Sequence, residues 1–255
     1  MKRIAIVTGA SSGIGCEFAR QIAKMDDIDE IWAVARREER LTELQQAASD
    51  KIRPIALDLK LDESLEYIAR MLEEERPDVE ILVNNAGFGK FGNSIDLTRE
   101  EIDDMVRLNA LAPVLLTNRV LPYMKGGARI LNMGSASAFQ PLPGFNLYAS
   151  SKVFVTHYTR ALNVELKGRG ISATAVCPGY VDTDFFDVAR DTRNPDTVTN
   201  IRPMYPRDKV VSKALADSAA GRDISVLGLD ANVKRLLAKL LPAPLVMSVW
   251  LRMRD

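Results

Sequence analysis

Arg3-Ile4-Ala5-Ile6-Val7-Thr8-Gly9-Ala10-Ser11-Ser12-Gly13-Ile14-Gly15 is the stretch on which the fold turns. Arg3 to Thr8 is a continuous, β-branched apolar run, the pattern of a strand buried on both faces. Glycines follow at once, and a helical pattern runs from Cys16 to about Met25. Strand, glycine turn and helix in succession let the backbone approach a pyrophosphate, with its charge facing the helix N-terminus. A tight turn without a ligand is the alternative.

The same alternation continues downstream. Strands are expected at Glu30–Ala35, Arg53–Leu57, Glu80–Val83, Ala128–Met133, Ile171–Val176 and Ile224–Gly228. Helices fill the gaps: Glu38–Ala48, Leu61–Glu75, one long helix from Thr98 to Met124, Tyr148–Lys167 and Asp208–Ala220. Repeated βαβ units force a parallel sheet with right-handed crossovers. Between Asp182 and Asp208 the chain turns polar and proline-bearing, as a lid or insertion does. No repeat or linker divides the chain, so residues 1–228 read as a single domain.

The second strand ends in Ala35, followed by Arg36-Arg37. An acidic residue there would hold a ribose 2′-hydroxyl, whereas a guanidinium can bind a 2′-phosphate bidentately. NADP(H) is therefore expected over NAD(H), the alternative being that both arginines open a solvated helix. Asp58 stands past the third strand, where it can meet an adenine amino group. Asn84-Asn85-Ala86-Gly87 ends the fourth strand with small and amide residues that would let a cofactor lie close to the sheet.

Tyr148 and Lys152 stand at i, i+4, one turn apart on one helix face, with Ser135 upstream at a strand end. A phenol with a pKa of roughly 10 is a poor proton-transfer group at neutral pH. A neighbouring ammonium is expected to lower it. The pair by itself recurs on many helices; its companions give it meaning.

Composition excludes several classes. Lys+Arg and Asp+Glu are both 34, so no net charge attracts nucleic acid. No signal peptide is read at the N-terminus, and no apolar segment reaches the ~18 residues of a membrane span. Cys16 and Cys177 suggest no disulfide framework, and a cytoplasmic setting is expected. No His, Cys or carboxylate cluster has metal-ligand spacing, so no metal is expected. His157 lies on the face of its helix opposite Tyr148.

The segment from Leu229 is amphipathic. Val233, Leu236, Leu237, Leu240 and Leu241 share a stripe, Pro242 and Pro244 break the helix, and Leu245–Met253 is again apolar. Lys234, Arg235, Lys239, Arg252 and Arg254 outnumber Asp230 and Asp255. Residues 229–255 are expected to pack on the domain or at a subunit interface. Contact with a membrane surface ranks below that.

Together these residues resemble the short-chain dehydrogenase/reductase superfamily, in its single-domain branch of about 250 residues. The motifs are Thr8 to Gly15, Asn84-Asn85-Ala86-Gly87, Asn109, Ser135, Tyr148 with Lys152, and Pro178-Gly179 with Thr183 beyond. The resemblance implies a Rossmann-type α/β fold: a doubly wound parallel seven-stranded sheet, ordered 3-2-1-4-5-6-7, with helices on both faces. It implies a hydride-transferring oxidoreductase interconverting a ketone or aldehyde and an alcohol. Tyr148 would be general acid and base, Lys152 a ribose ligand that keeps Tyr148 acidic, Ser135 an oxyanion donor, and Asn109 the anchor of a proton-relay water. Gly9, Ser11, Ser12, Gly13, Ile14 and Gly15 would line the pyrophosphate, with Arg36 and Arg37 toward the 2′-phosphate. Asp58 and Leu59 would meet the adenine. Asn85, Ala86 and Gly87 would flank the adenosine, and Pro178, Gly179, Val181 and Thr183 the nicotinamide.

A homo-oligomer, dimer or tetramer, is implied, acting on a small carbonyl or alcohol. Phe88, Phe91, Phe139, Leu142, Phe145, Tyr180, Phe185 and Phe186 fall in segments that face the substrate in this family and imply an apolar one. Many members close with a short tail between subunits. The longer, leucine-rich, basic end here weighs toward a dimer or a membrane-associated reductase of a lipid-like ketone. A nucleotide-sensing protein without chemistry is the rival reading, and such proteins lose the tyrosine or the lysine.

Overall fold

The computed structural model describes residues 1–201 and 203–254. Arg202, inside the proline-bearing stretch, and Asp255, counted among the terminal charges, lie outside the described residues. The first half alternates regularly: β1 (Arg3–Thr8), α1 (Gly13–Ile22), β2 (Glu30–Ala35), α2 (Glu38–Ala48), β3 (Ile52–Ala56), α3 (Asp62–Glu75) and β4 (Asp78–Asn84). Then come α4 (Arg99–Val106), α5 (Ala112–Val120), β5 (Arg129–Met133), α6 (Asn146–Glu165) and β6 (Ser172–Val176). The remainder holds β7 (Tyr180–Val181), α7 (Phe185–Arg190), β8 (Met204–Tyr205), α8 (Arg207–Ala219), β9 (Ile224–Ser225), α9 (Leu229–Leu240) and α10 (Ala243–Met253).

Seven strands form one sheet in the order β3-β2-β1-β4-β5-β6-β9, every pairing parallel. This is the expected doubly wound sheet. Ile4 and Ile6 point to one layer, with α3 and α5, while Ala5 and Val7 point to the other, with α1 and α8. Burial on both faces explains why β1 carries no alternation of polar and apolar residues. Order reverses between β1 and β4, and the crevice beyond their C-terminal ends is where this topology receives ligands.

Three segments differ from the reading above. The long helix from Thr98 is interrupted: α4 passes into a π-helical turn, Arg107–Leu111, before α5. Pro113 has no N–H, so the Asn109 carbonyl loses its ordinary α-helical donor, and the ladder shifts. The stretch after Asp182 is folded into α7 and β8, with β8 pairing parallel to β7. The last strand stops at Ser225, since Gly228 at φ +97° turns the chain into α9.

Candidate active site

The glycine loop is held by close approach. A Cβ at Gly9, whose φ is +66°, would lie 2.7 Å from Asn85 Nδ2, and one at Gly15 would lie 2.3 Å from the Gly9 oxygen. Thr8 Oγ1 accepts from the Asn85 and Ala86 amides at 2.9 and 3.0 Å, locking β1 to the end of β4. At the start of α1, Ser12 makes no side-chain cap and the first turn has no acidic residue. The first N–H groups of α1 thus face the crevice end uncompensated by an anion of their own turn. Arg37 lies across this loop, donating to Ser11 Oγ at 3.0 Å and Ser12 Oγ at 2.9 Å. Arg36 is two-thirds exposed and 3.9 Å from Asp58.

One cavity of about 800 Å³ runs from Arg36, Arg37, Asp58 and Leu59 past Ala86 and Gly87 to Ser135 and Lys152. Gly9, Ser11, Ser12, Gly13, Ile14, Asn85, Pro178, Gly179, Val181 and Thr183 also line it, so the expected cofactor residues share one surface except Gly15 and Tyr148, which lie off the lining. Bare backbone and helix N–H groups in the middle, with guanidinium groups at one end, fit a dinucleotide phosphate in length and charge.

Beyond the middle of the cavity, three elements deliver the polar residues. Asn109, on the π turn, is buried; its amide accepts from Phe88 N at 3.0 Å and donates to Phe88 O at 2.8 Å and Ser151 Oγ at 3.1 Å. Its side chain thus clamps the chain after β4 to α6. Lys152 Nζ donates to Met133 O at 2.8 Å and lies 5.6 Å from the centroid of the Tyr148 ring. Ser135 caps a short turn, accepting from Ser137 N at 3.1 Å, and the Ala136 amide donates to Pro178 O at 2.8 Å, tying the ends of β5 and β6. Tyr148 and Asn109 sit just behind the wall that Ser135 and Lys152 line.

The electrostatics depart from expectation. Burial pushes the Tyr148 phenol up to about 12, against a weaker downward pull from its hydrogen bond with Ser135. Burial likewise lowers the Lys152 ammonium to about 8. The lysine is expected to lower the phenol, but desolvation of the buried phenolate outweighs any such pull. A phenol so placed is a proton donor at neutral pH.

Of the apolar residues singled out in the sequence, Phe88, Phe139, Leu142, Tyr180, Phe185 and Phe186 line the cavity, and Phe91 and Phe145 back it. Two contributions escaped the sequence. Ser137 Oγ is buried on the lining without a hydrogen-bond partner among the described residues. The far wall comes from α9 and α10, including Leu237, Leu241 and Trp250. The leucine spacing was the available signal, but it does not say what it faces. His157 is exposed, Cys16 half-buried and Cys177 buried, both cysteines free. Among the described residues no group of three or more potential metal ligands occurs, and no helix is long and apolar enough to cross a membrane.

The family model for short chain dehydrogenases matches residues 3–194. The chain belongs to that family. An NADP-dependent 3-hydroxy acid dehydrogenase of Schizosaccharomyces pombe is 35% identical over 214 residues, 80% of this chain and 82% of that protein. An uncharacterized oxidoreductase of Myxococcus xanthus is 30% identical over 264 aligned residues, 99% of this chain and 98% of its own. Among solved structures, a short-chain dehydrogenase from Sphingobium yanoikuyae in complex with NADPH superposes with a TM-score of 0.76 at 26% identity, covering 94% of both chains. This short-chain dehydrogenase is accordingly an oxidoreductase of alcohol and carbonyl groups that works with a nicotinamide cofactor.

Proposed function

We propose that this short-chain dehydrogenase is an NADP(H)-dependent carbonyl reductase, acting in reverse as an alcohol dehydrogenase, with Tyr148 as general acid and base. The observation that carries the reading is the gathering of Asn109, Ser135, Tyr148 and Lys152 at one end of the cavity walled by the glycine loop.

When bound, the nicotinamide gives or takes the hydride. Everything else falls to side chains of this protein. In reduction, Tyr148 Oη gives its proton to the carbonyl oxygen; its elevated pKa keeps that proton in place at neutral pH. Ser135 Oγ donates to the same oxygen as negative charge develops. Lys152 holds the nicotinamide ribose and, with Asn109, returns a proton from solvent to the phenol. Gly9, Ser11, Ser12, Gly13, Ile14 and Gly15 hold the pyrophosphate. Arg36 and Arg37 take the 2′-phosphate, Asp58 and Leu59 the adenine, and Asn85, Ala86 and Gly87 the adenosine side. Pro178, Gly179, Val181 and Thr183 hold the nicotinamide. Residues 1–228 make the catalytic domain, and 229–255 extend it.

The paired arginines support NADP(H), as do the NADP dependence of the S. pombe relative and the NADPH in the S. yanoikuyae complex. The test follows NADPH absorbance across a panel of ketones and aldehydes, with Tyr148→Phe as the control. Turnover that disappears in the variant is expected. Turnover that survives it, or its absence across the panel, overturns the reading.

A further inference from the structure

Past Ser135 the cavity opens into a compartment whose far wall is made by Leu237, Leu241, Val246, Val249, Trp250 and Met253 of α9 and α10. Leu142 and Phe186 face it from the catalytic domain. Two charged residues of the C-terminal helices border the space, Asp230 and Lys234, and they pair with one another at 3.9 Å. Asp230 also accepts from the Tyr205 hydroxyl. The Arg235 guanidinium stacks outside, 5.7 Å from the centroid of the Phe139 ring. The wall made by the C-terminal segment therefore presents mainly apolar surface, with its one lysine and one aspartate paired.

Trp250 joins this wall to the catalytic helix. Its indole N–H donates to Pro143 O at 2.9 Å, so the ring turns only apolar surface to the cavity. Arg254 Nη1 reaches the same carbonyl at 3.3 Å, and the Arg254 oxygen accepts from Thr199 N and Asn200 N at 2.8 and 3.0 Å. The next residue, Gly144, has φ +83°, and a Cβ there would lie 2.4 Å from Thr197 and 2.8 Å from Arg254. Phe145 then stacks on Tyr148. The C-terminal helices are seated directly on the loop that leads into Tyr148.

We infer that α9 and α10 form an apolar subsite for the part of the substrate remote from the reacting carbonyl, with Trp250 its specificity-determining wall. The substrates are then uncharged ketones or aldehydes bearing a long alkyl or bulky aryl group. A carboxylate or sulfonate would lose hydration against that wall, whose lysine, Lys234, is paired with Asp230. This rests on the carbonyl-reductase reading and narrows its substrate class.

The test uses the full chain with NADPH and 2-alkanones from butanone to decanone. In the wild type kcat/KM rises about threefold per added methylene until the compartment is filled. Trp250→Ala flattens that rise, whereas Trp250→Phe, which keeps a ring, retains most of it. Leu241→Glu, at an exposed rim position, lowers the decanone-to-butanone ratio of kcat/KM about tenfold or more. An oxo-acid of decanone's length is turned over about a hundredfold less well. Independently of turnover, a Trp32→Phe variant leaves Trp250 as the single tryptophan, and its emission shifts saturably on titration with 2-decanone. No turnover of any carbonyl together with a saturable shift sinks the reaction and keeps the subsite. Turnover indifferent to chain length, or a Trp250→Ala profile matching the wild type, overturns the subsite and leaves the reaction standing.

Discussion

The Phe145 ring lies stacked on the Tyr148 ring, their centroids 4.3 Å apart and their planes 21° from parallel. Phe185 closes the other side at 5.3 Å. This packing keeps water from the phenol and lifts its pKa to about 12. Ketone reduction needs the protonated form, so the phenol itself should impose no fall in kcat/KM from neutral pH to above the ordinary phenol value of 10, and an alkaline limb near 8 would report Lys152. Alcohol oxidation needs the phenolate and should keep climbing over the same range. Phe145→Ala admits water, and the pH–rate profiles of both directions should shift to lower pH. An unmoved alkaline limb would show that packing does not set this pKa.

Replacing the reactive groups separates their duties. Tyr148→Phe should lower kcat by about a thousandfold and leave NADPH affinity close to wild type. Lys152→Met should damage both, as read by steady-state kinetics and fluorescence titration of NADPH.

Lys152 also marks the pH dependence of stability. Its folded pKa of about 8 lies below the ordinary 10.5, so between those values the unfolded chain binds a proton that the native protein does not. Wild-type stability therefore rises with pH across that window relative to Lys152→Met. Tyr148 acts in the opposite sense above pH 10, where the native protein keeps a proton that the unfolded chain releases. Denaturant melts of the two proteins from pH 7 to 10 give the slope directly.

Pro113→Ala restores the N–H that the Asn109 carbonyl lacks. The α4–α5 junction should relax toward a continuous α-helix, raising Tm by several degrees. Asn109 should then lose its register with Phe88 and Ser151, and kcat should fall. Asn109→Ala should lower stability by about 1–3 kcal/mol, because the half-buried Phe88 N and O lose their partners. Thermal melts beside turnover distinguish the two variants.

Arg37→Ala removes three bonds to the glycine loop and should reduce kcat/KM for NADPH about tenfold or more, with NADH little changed. Arg36→Ala should shift the same ratio less, since that side chain is exposed and faces Asp58. Equal losses for both cofactors would mean that the arginines support the loop and not a phosphate.

Much of this protein was legible residue by residue. The passage from Arg3 to Gly15 predicted a strand, a close-packed turn and a helix, because each rests on local propensity and on the missing Cβ atoms. Repetition of that unit then implied a parallel sheet, and the resemblance to short-chain dehydrogenases supplied its strand order. Asn109 was recognisable as an awkward helix residue, yet the π turn needed Pro113 and the buried partners on Phe88 and Ser151. β7 and β8 went unseen, since two-residue strands carry no period.

The chain by itself determined a parallel sheet and the one-turn spacing of Tyr148 and Lys152, since βαβ crossovers and i, i+4 spacing follow from covalent geometry and hydrophobic pattern; the strand order and the crevice came with the family resemblance. Tertiary structure decided the rest. Trp250 meets Pro143 across more than a hundred positions of chain, and no local pattern encodes such a contact. The Tyr148–Lys152 pair shows the same division. Spacing put phenol and ammonium on one helix face, but burial between Phe145 and Phe185 set the direction of the proton affinity, because desolvation depends on everything that surrounds a group.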